Sequence, residues 1–376
     1  MNKNLKNNIL LFTLEYPPFK GGVANYYGNV VKYWPDEIMV LTDDKKGIAP
    51  LSRDAIPSNL IIKKLLRPHW LFSLWHLWRA IRKYKINTVL IGHILPLGTV
   101  AWLLRKMTRF DYVVFLHGMD FSFAIKSKRK QLLTQRILKN AKKVICVNSY
   151  VEKLAREIVE DDKIAVVNPG VEQRTTHNAQ RIINLKKKYN LEGKKILLQV
   201  GRLVKRKGVN KTLKALPQVW EEVPELIYII AGDGPEIFNI KYSILNIKDK
   251  NKIILINKAS DQELTALYEL CDIFIMPSRD MDGDFEGFGI VYLEANLRDK
   301  PVIAGDSGGV RDAVEDGVNG LLVDPNSADE ISKAIVRLCK DNELRLELGR
   351  QGKERAMRDF SWEKQTEKLK QILNNN

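Results

Sequence analysis

Apolar residues along this chain come in short continuous runs rather than in strict alternation with polar ones. ILLFTL (9–14), IMVL (38–41), TVLIGHI (88–94), YVVFLHG (112–118) and KVICVN (143–148) punctuate the first half. KILLQVG (195–201), LIYIIAG (226–232), KIILIN (252–257), DIFIMPS (272–278) and PVIAG (301–305) continue through the second. Helix-like segments separate most of them. Continuous apolar strands between helices predict parallel sheets covered on both faces. The expected class is α/β.

The two halves share a plan. Each opens with a lysine-flanked apolar strand, at 9–14 and 195–200, that runs into a glycine-bearing loop and then a helix. Gly21-Gly22 marks the first loop, and Gly201 to Gly208 the second. Two doubly wound units facing across a cleft would bring both loops to that cleft, because ligands gather at the carboxyl ends of parallel strands. The expected division is residues 1–185 and 186–360, with the polar, basic stretch 172–194 as linker. A last helix at about 361–374 fits either unit.

Length agrees with this picture, since 376 residues exceed one comfortable core. Cys146, Cys271 and Cys339 are isolated, with no zinc or redox spacing, and read as reduced core residues of a cytosolic protein. The lysines and apolar run at the N-terminus imitate a secretion signal, but Glu15, Pro17 and Pro18 follow without a cleavage site, so a buried first strand is expected. No uncharged apolar run reaches bilayer-spanning length.

Charge changes the picture more. The formal net charge is +16. Residues 1–190 hold 33 Lys+Arg against 14 Asp+Glu, whereas residues 191–376 hold 28 against 31. A basic half joined to a near-neutral half points to an anionic partner, nucleic acid or an anionic membrane. A lysine-rich composition without function is the plain alternative. No nucleic-acid-binding module accompanies the cations, which argues against nucleic acid. HWLFSLWHLWRAIRKYK (69–85), Trp-rich and flanked by cations, suits either a membrane surface or a core helix.

Several motifs have a plain explanation. GDSGG (305–309) matches the surroundings of a serine-protease nucleophile, yet here it follows a strand and precedes a helix without the β-barrel scaffold that chemistry needs; it reads as a turn. AGDGPE (231–236) lacks the third glycine of a dinucleotide fingerprint. MDGD (281–284) has metal-like D-x-D spacing but reads as a solvated turn.

Others carry chemistry. GRLVKRKG (201–208) leaves a strand with Arg202, Lys205, Arg206 and Lys207 ahead of a helix, a diphosphate clamp or a solvated charge run. His117, in FLHGMD, ends a strand and precedes Gly118 and Asp120, which favours a place in the cleft. In DFEGFGIVYLEAN (284–296) a helix is expected near Gly289, with Glu286 in the loop at its mouth and Glu294 on its second turn. The amides of Phe288, Gly289 and Ile290 can receive an anion or sugar hydroxyls, and a carboxylate beside them accepts from hydroxyls. Glu294 suits a vicinal diol such as a ribose.

These residues, with PPFKGGVA (17–24), VVNPGV (166–171) and GLLVDP (320–325), resemble the retaining family-4 glycosyltransferases of GT-B fold over nearly the whole chain. The likeness is strongest to phosphatidylinositol mannosyltransferases and similar lipid or inositol glycosyltransferases. It implies transfer of a hexose, of mannose or glucose type, from a nucleotide diphosphate sugar such as GDP-mannose or a UDP-sugar. Arg202 and Lys207 would hold the diphosphate, Glu294 the ribose, and Glu286 the sugar hydroxyls, with the Phe288–Ile290 amides at sugar and phosphate. Gly21 and Gly22 would approach the diphosphate, His117 would face the sugar, and Asp120 is a candidate on the acceptor side. No metal or other cofactor is expected. The last helix would cross back to the first domain. The acceptor would be lipid-linked, an inositol or a saccharide, in the cytoplasm or at the cytoplasmic face of a membrane. A sugar phosphorylase of the same fold is the alternative enzyme. A basic nucleic-acid-binding protein is the alternative from another class.

Overall fold

A computed structural model describes residues 8–19, 21–34, 38–44, 59–66, 69–172 and 179–374. The chain divides into two compact units, Met1–Gly170 with Trp362–Asn376, and Val171–Ser361. The partition therefore falls at 170/171 rather than at 185/186. The helix Ala179–Tyr189 lies within the stretch expected as a linker, but its Leu185 is buried in the second unit's core. Its apolar face outweighs its lysine-rich surface.

The first unit carries β1 (Ile9–Thr13), β2 (Met39–Asp43), β3 (Leu60–Lys63), β4 (Thr88–Ile91), β5 (Asp111–Leu116), β6 (Lys143–Cys146) and β7 (Ile164–Val166). They form one sheet in the order β3-β2-β1-β4-β5-β6-β7, every adjacent pair parallel. The second unit carries β8 (Lys195–Val200), β9 (Leu226–Ala231), β10 (Ile253–Ile256), β11 (Ile273–Met276), β12 (Val302–Gly305) and β13 (Gly320–Val323). Its order is β10-β9-β8-β11-β12-β13, again all parallel. Strand order reverses between β1 and β4 in one sheet and between β8 and β11 in the other. Those reversals open crevices at the carboxyl ends of the central strands.

Alternation along β8 shows why its apolar run is continuous. Ile196, Leu198 and Val200 face one cluster, which includes Phe274 and Tyr292. Leu197 faces the opposite cluster, with Leu213 and Leu216 of the helix Val209–Glu222. Both faces are covered, so neither can be polar.

The terminal helix Trp362–Asn374 belongs to the first unit. Trp362 and Leu369 are buried beside Tyr26 and Tyr27. Trp362 meets Tyr26 edge to face, at 5.6 Å between ring centroids.

Candidate active site

In the second unit the backbone leaves β8 through Gly201, makes a single 3₁₀ turn at Lys205–Lys207, and enters the helix Val209–Glu222. Gly208, at φ 75°, joins turn to helix; a Cβ there would lie 2.1 Å from the Pro277 carbonyl oxygen. AGDGPE supports this loop from β9. The Leu203 amide donates to the Asp233 carbonyl at 2.8 Å, and a Cβ on Gly234 would stand 2.3 Å from the Leu203 carbonyl oxygen. The motif is a brace for the cationic loop. Beneath it, buried Gln199 donates to the Lys207 carbonyl at 2.8 Å and accepts from the Tyr228 hydroxyl.

The neighbouring strand supplies the acid. After β11 the chain turns at 281–284, where Met281 and Asp284 bridge and Asp282 takes φ 55°. MDGD is thus a tight turn. Its Asp284 accepts from Arg206 Nε at 3.0 Å. Glu286 is 7% exposed, with Lys207 Nζ 2.6 Å from its Oε2 and Arg206 Nη1 on the same oxygen. Burial alone would raise the Glu286 carboxyl, but the two cations override it and hold it below the usual carboxylate range. Burial acts the other way on Lys207, lowering its ammonium against the pull of Glu286.

Gly289, at φ 82°, caps the helix Ile290–Asn296. Among the described residues, the amides of Phe288, Gly289 and Ile290 have no acceptor. The Phe288 side chain is buried against Phe360, so the backbone is what this residue offers a ligand. GDSGG is indeed a strand-to-helix turn, and its Gly309 amide donates to the Glu286 carbonyl at 2.9 Å. One turn along the helix, Glu294 accepts from the Tyr268 hydroxyl at 2.8 Å. Burial and that carboxylate push the tyrosine hydroxyl well above its ordinary range, so it stays a donor. Arg202 is exposed, and its side chain has no partner among the described residues.

The first unit holds a separate group. His117 follows β5 and is packed edge to face against Tyr26 and Tyr27, each at 5.2 Å. Its Nε2 is 2.6 Å from the Tyr27 hydroxyl, which also donates to the Gly92 carbonyl at 3.0 Å. A hydroxyl has one proton, so His117 carries hydrogen on Nε2 and presents Nδ1 as an acceptor. Burial, then His93, lowers its pKa to about 3, and the ring stays neutral. Asp120 Oδ1 accepts from the His117 amide at 3.0 Å, while Oδ2 is buried without a partner. Burial raises this carboxyl to about 6 against the opposing amides. Gly21 and Gly22 are exposed at the start of the helix Gly22–Lys32, and nothing stands within 4 Å of a Cβ on Gly22.

The structure therefore gathers Lys207, Glu286 and the Phe288–Ile290 amides, with Glu294 on the same short helix. It leaves Arg202 unattached, and it adds residues that sequence reasoning did not select. Arg206 stood within GRLVKRKG, but only the 3₁₀ turn separates it from Lys205. Tyr268 and Tyr27 carried no sequence signal beyond their apolar helices.

Two family models match the chain. "Glycosyltransferase Family 4" matches residues 20–174, and "Glycosyl transferases group 1" matches residues 181–355. A relative from Mycolicibacterium smegmatis, named GDP-mannose-dependent alpha-(1-6)-phosphatidylinositol monomannoside mannosyltransferase, is 27% identical over 97% of this chain and 98% of its own. A D-inositol 3-phosphate glycosyltransferase from Corynebacterium glutamicum is 29% identical over 78% of this chain and 73% of its own. Among solved structures, Anabaena HepE in complex with UDP and glucose superposes with a TM-score of 0.80 at 19% identity, covering 98% of this chain and all of that one. A glycosyltransferase from Rickettsia africae gives 0.80 at 21% identity, over 99% of this chain and 100% of its own. The models succeed one another along the chain as its two parallel sheets do, and together they mark the protein as a glycosyltransferase of GT-B fold, similar to the Family 4 model in its first part and to the group 1 model in its second.

Proposed function

We propose that the protein transfers a hexose from a nucleotide diphosphate sugar to a lipid-linked, inositol or saccharide acceptor, with retention at the anomeric carbon. The observation that carries this reading is the buried Glu286 carboxylate, held by Lys207 and Arg206 beside the unsatisfied amides of Phe288, Gly289 and Ile290. Cations and amides meet the charge that develops on a departing diphosphate, and a carboxylate meets sugar hydroxyls. The relatives named for GDP-mannose make it the first donor to test.

In this reading Lys207 and Arg202 take the diphosphate, and Glu294, oriented by Tyr268, takes the ribose. Glu286 takes the sugar hydroxyls. Within the first unit, the candidates are His117 Nδ1 for the sugar, the Gly21–Gly22 amides for the diphosphate and Asp120 for the acceptor side. As the bond from C1 to the phosphate oxygen breaks, the acceptor oxygen bonds C1 on the same face. Its proton passes to the leaving phosphate. Fixed cations and amides stabilise that departure without help from a resident metal; removing one such donor typically costs about 10²–10³ in rate.

We further place the enzyme at the cytoplasmic face of an anionic membrane. The helix Phe72–Tyr84 buries Ser73, Leu77, Ala80 and Ile81, so it is a core helix. Its other face leaves Trp75 and Trp78 about half exposed, with Arg79 and Arg82 over their rings at 5.4 and 5.9 Å. Aromatic rings flanked by cations suit the headgroup layer. No helix among the described residues is long and apolar enough to cross a bilayer.

A thermal-shift panel of GDP, UDP and their sugar conjugates identifies the donor, because a ligand stabilises according to its affinity. Product analysis with that donor then tests the reaction. An inverted anomeric centre, or near-normal turnover in Glu286→Ala, refutes the assignment. Flotation with anionic and neutral vesicles tests the membrane placement, and absence from both removes it.

A further inference from the structure

The run from Asn59 to Asn87 contains seven Lys+Arg and no Asp or Glu. The fold concentrates part of that charge around one hollow. Between β2, β3 and the helix Phe72–Tyr84 lies a cavity of about 230 Å³, floored by Leu41 and Ile61 and rimmed by Lys63, His76, Arg79 and Lys83. Lys63 comes from the carboxyl end of β3, and the other three from successive turns of one helix face. No ion pair engages any of the four among the described residues. Some cations elsewhere in this unit are paired, as Arg105 with Asp111 and Arg156 with Glu152. The acid in register with Lys63 is Asp43, on β2, and its Oδ1 is occupied by the Leu65 amide at 2.7 Å. Arg82 lies over the Trp78 ring, as Arg79 lies over the Trp75 ring and Lys83 over the Tyr84 ring.

We propose that this cavity is a binding site for a phosphate ester, separate from the donor site. A tetrahedral oxyanion offers acceptors in several directions and matches donors arriving from both strand and helix, which a flat carboxylate cannot engage together. Arg79 supplies a fork, Lys63 and Lys83 compact charges, and His76 a ring N–H. The apolar floor accommodates the carbon side of an ester. The shared chemistry belongs to a phospholipid headgroup and to a soluble phosphate ester alike. Burial, then Lys63 and Arg79, lowers the pKa of His76, as a positive field requires, and a bound anion reverses that effect.

The site does not depend on the glycosyl-transfer reading, and its test needs no turnover. The full chain, labelled with ¹³C-histidine, is titrated with inorganic phosphate, with glycerol phosphate, and with phosphatidylglycerol or phosphatidylcholine vesicles. The His76 signal, identified by its loss in His76→Gln, reports the cavity, and the His117 signal reports the intact unit. The expected result is a saturable His76 shift that Arg79→Gln with Lys83→Gln weakens by on the order of tenfold or more. A response to the soluble phosphates assigns a soluble ester, and a response to the anionic vesicles alone assigns a lipid headgroup. A His76 signal unmoved by all of them overturns the proposal. So does an equal shift with chloride at matched ionic strength, or unchanged affinity in the double variant.

Discussion

Lys207 Nζ lies 2.6 Å from Glu286 Oε2, and the two side chains come from loops that follow the adjacent strands β8 and β11. They face each other at the reversal of strand order, where a ligand belongs. Each neutralises the other in the absence of a donor. If Lys207 holds the diphosphate as proposed, the diphosphate competes with Glu286 for it, while Arg206 can keep the carboxylate paired. This coupling makes the two residues non-additive. Lys207→Ala and Glu286→Gln should each lower turnover by about 10²-fold or more. The double variant should fall by much less than the product of the two effects. Steady-state rates for the four proteins complete the cycle, and multiplicative losses would mean that the residues act independently.

The central strands were legible because burial on both faces writes a continuous apolar run into the sequence. β3, β7 and β13 escaped notice, and each lies at a sheet edge. Leu60, Ile61 and Ile62 of β3 and all of β7 are only partly buried, so their runs are short and mixed. The loops of the site were legible in part. Glycine and lysine mark GRLVKRKG, but which cation reaches Glu286 depends on a 3₁₀ turn that no spacing rule encodes. Arg206 became distinguishable only through its bonds to Asp284 and Glu286.

Tyr268 holds Glu294 from a helix that sequence reasoning left unassigned. A hydrogen bond to a charged group contributes roughly 1.5–3 kcal/mol. In Tyr268→Phe the carboxylate loses its orientation while the chemistry at the sugar is untouched. The donor KM should rise by about tenfold with kcat nearly constant. A loss confined to kcat would place Glu294 elsewhere than at the nucleotide.

Gly170 and Trp362 fix the terminal helix to the first unit. A Cβ on Gly170 would stand 2.6 Å from the Trp362 ring and 2.8 Å from its Cα, so the backbone itself would have to move. Overpacking of this kind costs about 1–3 kcal/mol, and truncation of a buried Trp about 3–5 kcal/mol. Gly170→Ala and Trp362→Ala should therefore both destabilise the protein, Trp362→Ala more, by urea denaturation. Stability matching the parent in Trp362→Ala would show that the helix is not anchored there.

His117 and Asp120 should give stability opposite slopes against pH. Asp120 is raised to about 6, above its unfolded value, so the fold prefers the protonated carboxyl. Folding then takes up a proton between about pH 4 and about pH 6, and the contribution is lost as pH rises through that window. At about 1.4 kcal/mol per unit the swing is at most about 3 kcal/mol. Asp120→Asn keeps an oxygen for the His117 amide and does not titrate. The variant should therefore gain on the parent as pH rises from about 4 to about 7. His117, lowered to about 3, works in reverse: the unfolded ring takes a proton below about pH 6.5 and the folded ring does not, so this contribution is lost as pH drops from about 6.5 toward about 3. His117→Gln should flatten that acid slope. Urea midpoints of the three proteins across this range separate the two effects. A constant gap between the parent and Asp120→Asn would mean that the carboxyl titrates alike in both states, and that its buried Oδ2 is solvated in the native protein.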